Sequence, residues 1–128
     1  MDERSLRRLF TRESGLKGYL GTNDVRKVVS RIRDGDEKAK LIMDAMLYQL
    51  RKEIAAMAAV LDFQVKALIV TGGAAYSDYI QDTLQTHLGK SFNIVFHPGE
   101  NELEAMADGG FRILDGKMRI YDYQKDEV

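Results

Sequence analysis

The stretch VKALIVTGGAAYSDY, Val65–Tyr79, constrains this chain more than any other. Val65, Ala67, Leu68, Ile69 and Val70 make a short apolar, β-branched run that reads as a buried strand. The run stops at Thr71-Gly72-Gly73, and helical periodicity resumes near Ser77. A strand, a glycine turn and a helix start, in that order, point to an α/β fold. Two glycines let backbone amides approach a ligand with no Cβ in the way. The helix start adds free donors and partial positive charge, which suit a phosphate or a nucleotide.

A second run, Phe92–Phe96 (FNIVF), ends at His97-Pro98-Gly99. Between the two strands a helix from Ser77 to Leu88 turns Tyr79, Ile80, Leu84 and Leu88 inward. The unit is therefore a parallel, right-handed β-α-β crossover. Both glycine turns fall at the carboxyl ends of the strands and are expected to face one crevice. Two parallel strands make an incomplete sheet, because such sheets are normally larger and covered on both faces. Further strands are expected from elsewhere.

Everything before Val65 reads as helix or loop. Asp2–Arg12 is amphipathic through Leu6, Leu9 and Phe10, with Arg4, Arg7, Arg8 and Arg12 as a solvated face. Gly15–Gly21 (GLKGYLG) is glycine-rich and reads as loop. Thr22 or Asn23 caps a helix to Arg33 whose stripe is Val25, Val28, Val29 and Ile32. Asp36 caps the longest element, Glu37–Leu61, with Leu41, Ile42, Ala45, Met46 and Tyr48 as its first apolar face. Its last turns, Ile54–Leu61, carry no polar group, which predicts burial all round. Met43, Met46 and Met57 read as core filler. A last helix opens at Glu100 or Asn101 and carries Leu103, Met106, Ala107, Phe111 and Ile113. Residues 118–128 read as a flexible polar tail, with a short extended piece at Arg119–Tyr123.

With 128 residues, one domain, and a partial one, is expected. The 19 basic and 20 acidic residues nearly cancel, so no general affinity for nucleic acid or anionic membrane is implied. The absence of cysteine excludes disulfides and thiolate metal sites. No apolar secretory core opens the chain and no run reaches membrane-spanning length, so a soluble, cytoplasmic protein is expected.

Four ordered segments then carry a resemblance: GLKGYLGTNDVRKV, DEKAKLIMDAMLYQLRKEIAAMAAVL, ALIVTGGAAYS and HPGENELEAMADGGFRIL. Together they resemble the C-terminal part of the acetate and butyrate kinase family, most closely its butyrate kinase branch, within the actin-like ATPase and sugar-kinase superfamily. The resemblance runs from about Gly15 to Tyr123. It implies the C-terminal part of a ribonuclease-H-like (actin-like ATPase) α/β domain, helix-rich with a parallel β-α-β unit. It also implies transfer of the ATP γ-phosphoryl group to a short-chain carboxylate, giving an acyl phosphate and ADP, with Mg²⁺. Thr71-Gly72-Gly73 matches the family's adenosine turn, and Ala74, Ala75, Tyr76 and Ser77 follow in the segment that lines the nucleotide. Asp24-Val25-Arg26 looks like the family's Asp-x-Arg contribution to the adenosine pocket. Glu100 and Glu102 resemble its late acidic segment near the metal and phosphates, with water between carboxylate and metal. The family's phosphate-binding turns, catalytic histidine and arginines have no match among these residues. The implied role is adenosine contact without the transfer machinery.

Each of these residues has a plainer account. Gly72-Gly73 can be an ordinary turn, Asp24, Glu100 and Glu102 helix N-terminal acids, and Arg26 a solvated cation. His87 and His97 lack a partner at ligand spacing and read as structural or surface residues. Two other functions stay open. One is a non-catalytic dimerisation module, a homo-oligomer held by bare apolar surface. The other is a dinucleotide binder with Glu100 on a ribose, although GGAA is not G-x-G-x-x-G.

Overall fold

The computed structural model describes residues 2–99 and 102–121. Helix α1 (Glu3–Arg8) runs into a π-helical turn at Leu9–Glu13, and α2 (Gly15–Leu20), α3 (Val25–Arg33) and α4 (Glu37–Val60) follow. Strand β1 (Leu68–Gly72), a 3-10 turn (Gly73–Tyr76), α5 (Asp78–Leu88), β2 (Ile94–Pro98) and α6 (Glu102–Leu114) complete the order. The strands pair in parallel, from Leu68 opposite Ile94 to Gly72 opposite Pro98. They form a two-stranded sheet, the α/β unit expected from the sequence. Among the described residues, no helix is long and apolar enough to cross a membrane.

One hydrophobic cluster holds these elements together. Leu16, Val28, Val29, Ala39, Met43, Leu47, Ile80 and Leu84 are buried in it, and Val70, Ile94 and Phe96 pack against it from the sheet. Alternation along each strand decides which residues face inward. Ile69 and Val95 point the other way and are exposed. The sheet is therefore covered on one face only.

Helix ends are set by local hydrogen bonds. The Asp36 carboxylate accepts from Ala39 N at 2.9 Å and caps α4, as its position predicts. The Arg31 guanidinium donates to Asp36 Oδ2 and to the Leu20 carbonyl, joining three helix ends. Helix α4 closes in a Schellman arrangement, with Phe63 N on the Ala58 carbonyl and Asp62 N on that of Ala59. That geometry puts Asp62 and Phe63 at φ +51° and +58°, in the left-handed region.

Several expectations are corrected. Gly15–Gly21 is not a loop: Gly15–Leu20 is helical because Leu16 is buried against α4. Gly18 is required there by close approach, since a Cβ would lie 2.6 Å from the Glu13 carbonyl oxygen. The cap of α3 is Asp24 rather than Thr22 or Asn23. Asp24 accepts from Arg26 N, while Thr22 Oγ1 accepts from Asp24 N. The buried line of α4 is Ala39, Met43 and Leu47, whereas Leu41, Ala45 and Tyr48 are exposed. The end of α4 is not buried all round: Met57, Val60 and Leu61 are 59%, 75% and 57% exposed. Ala58 is buried there, and Ile54 packs against the core cluster. The strands begin later than expected, at Leu68 and Ile94, and run on through Gly72 and Pro98. On α6, Leu103, Met106 and Phe111 are exposed. Its start at Glu100 or Asn101, and residues 122–128, lie outside the described residues.

Candidate functional site

At the carboxyl end of β1 the two glycines do different things. Gly72 has φ +73° and ψ −164°, a conformation that essentially only glycine adopts. Gly73 has no such backbone demand, and a Cβ there would meet nothing within 4 Å. Its missing side chain leaves open space in front of the turn. Ser77 then caps α5 by accepting from Ile80 N at 3.4 Å.

Opposite the turn stands the start of α3. The capping carboxylate of Asp24 also takes Arg26 Nε at 3.2 Å and Nη2 at 3.3 Å. This side-chain bond is the main cause holding the Asp24 carboxyl below its usual range and raising the Arg26 guanidinium above its own. Arg26 is 91% exposed, so the pair fixes its direction without covering its face.

Between them lies a cleft of about 360 Å³, lined by Val25, Arg26, Val29 and Arg33 of α3 and by Gly73, Tyr76, Ser77 and Asp78. Its volume is at the small end of ligand pockets. Val25 and Val29 give it an apolar wall, Tyr76 an aromatic ring, and Arg26 a planar cation. Arg33 Nη2 reaches Asp78 Oδ2 at 2.7 Å, so an ion pair joins the two sides. The positive ends of α3 and α5 each already carry a carboxylate, Asp24 and Asp78. The cleft therefore fits a flat, uncharged, hydrogen-bonding group better than a phosphate.

Two segments named from sequence thus meet. Val25, Arg26, Gly73, Tyr76 and Ser77 line the cleft, and Asp24 stands behind Arg26. Thr71, Gly72 and Ala74 do not line it, and Ala75 is fully buried in the core. The Pro98-Gly99 turn stays beside Gly72, with Gly99 N facing the Gly72 carbonyl at 3.5 Å, but it does not line the cleft either. Val29, Arg33 and Asp78 were missed. Arg26, Val29 and Arg33 follow spacings of three and four, one face of one helix, so periodicity carried that signal.

The metal residues fare differently. Glu102 lies in the first turn of α6 with Glu104 and does not line the cleft, and Glu100 lies outside the described residues. Among the described residues no three His, Asp or Glu side chains are grouped to hold a metal ion. A second, more polar groove of about 560 Å³ runs between α4 and α5. There Tyr79 and Lys40 both donate to Asp44, and His87 lines the wall.

Comparison with known proteins agrees with the resemblance. The Acetokinase family model matches residues 1–111. A "Probable butyrate kinase 2" of Caldanaerobacter subterraneus subsp. tengcongensis is 50% identical over 103 residues, 80% of this chain and 29% of that protein. A "Probable butyrate kinase" of Bacteroides thetaiotaomicron is 39% identical over 119 residues, 93% of this chain and 34% of that protein. The chain thus spans about a third of the length of these relatives. A family match over most of its length, on a parallel β-α-β unit carrying the TGG turn, leads to one conclusion: the chain belongs to the acetokinase family.

Proposed function

We propose that this chain is the adenosine-binding part of a butyrate kinase-like carboxylate kinase. The reaction moves the γ-phosphoryl group of ATP to a short-chain fatty acid and yields an acyl phosphate and ADP. The observation that carries the proposal is the cleft, where Asp24-Val25-Arg26 and Gly73–Ser77 converge. In it the Arg26 guanidinium, aimed by Asp24, stacks on adenine. Gly73 leaves clearance for the base or sugar, and Val25 and Val29 exclude water from one side. Phosphoryl transfer depends on positioning and on neutralising the moving group. The cleft residues supply the first of these, by anchoring the nucleoside. Mg²⁺, bound with the phosphates, would offset their charge. Glu102 is the one described candidate for a water-mediated contact to it. The carboxylate substrate, a cytoplasmic setting and self-association belong to the same proposal.

Arg26→Ala is expected to weaken ATP binding by about tenfold or less, the effect of losing one exposed stacked cation. Calorimetry on the intact polypeptide measures it. Unchanged affinity would remove the cleft from the nucleotide site. A second role, association, is favoured by the exposed apolar residues Met57, Val60, Leu61, Phe63 and Ile69. A stable dimer with no ATP-induced thermal shift would favour that role over nucleotide binding.

A further inference from the structure

Two carboxylates stand at the cleft, and they differ in what they have left to offer. Asp24 Oδ1 accepts from Arg26 N and Arg26 Nε, and Oδ2 from Arg26 Nη2. A carboxylate has about four acceptor positions, so Asp24 keeps about one. Its side chain is only 27% exposed. Asp78 is the opposite case. Oδ1 accepts from Tyr79 N and Oδ2 from Arg33 Nη2, which leaves about one position free on each oxygen. Its side chain is 68% exposed and lines the cleft. Arg33 keeps Asp78 oriented and offsets its charge. A paired carboxylate with free acceptor positions offers a phosphate no donor but suits a hydroxyl pair, which favours the sugar rather than the phosphate chain beside it.

We infer that Asp78 reads the ribose of the nucleotide, accepting hydrogen bonds from the 2′- and 3′-hydroxyls while Arg33 positions it. The inference rests on the nucleotide reading of the cleft and deepens it, since it assigns the sugar to a residue that the family-like segments leave out. A hydroxyl bonded to this carboxylate adds the net contribution of a hydrogen bond to a charged acceptor, which an analogue lacking the hydroxyl forgoes. The site is therefore selective for ribonucleotides over 2′-deoxyribonucleotides.

The test is the ratio of affinities for ATP and 2′-deoxy-ATP, measured by calorimetry on the intact polypeptide. The unaltered protein is expected to prefer ATP by about tenfold or more, as for a hydrogen bond to a charged acceptor. Asp78→Ala should bring the ratio close to one, chiefly by weakening ATP, and Arg33→Ala should lower it part of the way. Arg26→Ala should weaken both nucleotides by the same factor and keep the ratio. A simple loosening of α5 would also weaken both alike, so the ratio separates sugar recognition from a structural defect. An unaltered protein with no preference for ATP, or Asp78→Ala with the full preference retained, overturns the inference. In that case loss of both affinities in Arg26→Ala would leave the cleft as the nucleotide site. If neither Arg26→Ala nor Asp78→Ala changes either affinity, the cleft reading itself fails.

Discussion

Substituting Gly72 and Gly73 one at a time separates a backbone requirement from a clearance requirement. Gly72 holds a conformation closed to other residues, so Gly72→Ala should cost about 1–3 kcal/mol of stability. Gly73 faces open space with an ordinary φ. Gly73→Val should leave melting nearly unchanged and weaken ATP binding by at least about tenfold, as calorimetry and thermal unfolding together will record. A second residue-scale effect concerns pH. The Ala39 amide first, and Arg31 second, hold the Asp36 carboxyl below its usual range. Its contribution is fully present above the unfolded value of about 3.9 and is lost as pH falls through the lower folded value. Melting temperatures between pH 6 and 2.5 should therefore fall less steeply for Asp36→Asn, which still caps the helix but no longer titrates. The glycine pair was legible in sequence. Which glycine the backbone requires and which leaves open space was not, because only φ and the surroundings distinguish them.

Among the elements, the end of α4 shows what a helix costs when its stop signal is imperfect. A Schellman ending favours glycine at the first residue past the cap, and here Asp62 occupies it at φ +51°. Asp62→Gly should stabilise the chain by about 1 kcal/mol, measurable by urea unfolding. A loss of stability would show that the Asp62 side chain makes a contact worth more than the backbone strain. Periodicity made α3, α5 and the β-α-β order readable, since Val28, Val29, Ile80 and Leu84 are buried where their spacing puts them. It failed for GLKGYLG because glycine propensity argues against helix, while burial of Leu16 argues for it more strongly. It misplaced part of the inner face of α4: Leu41 and Tyr48 look like core residues but are exposed, whereas Met43 is buried and Ile42 and Met46 pack on the core as expected, beside the smaller Ala39.

At the scale of the molecule, exposed apolar residues include Met57, Val60 and Leu61 at the end of α4, Ile69 and Val95 on the outer face of the sheet, and Leu103, Met106, Phe111 and Leu114 on α6. Leu103 is 83% exposed and Ile69 63%. The sequence foretold an unfinished sheet from two strands too apolar to stand by themselves, and the structure contains a two-stranded sheet covered on one face. What covers the other face could not be read from either strand, because a strand's pattern records that it is buried and not against what. The relatives, about three times longer, have chain enough to cover it. The cleft, by contrast, is built entirely within these residues, from two segments far apart in sequence. The most direct test is therefore a crystal structure of the intact polypeptide with ADP. The account predicts adenosine density between Arg26 and the Gly73–Ser77 turn, with the ribose against Asp78. Density for the nucleoside anywhere else would contradict it.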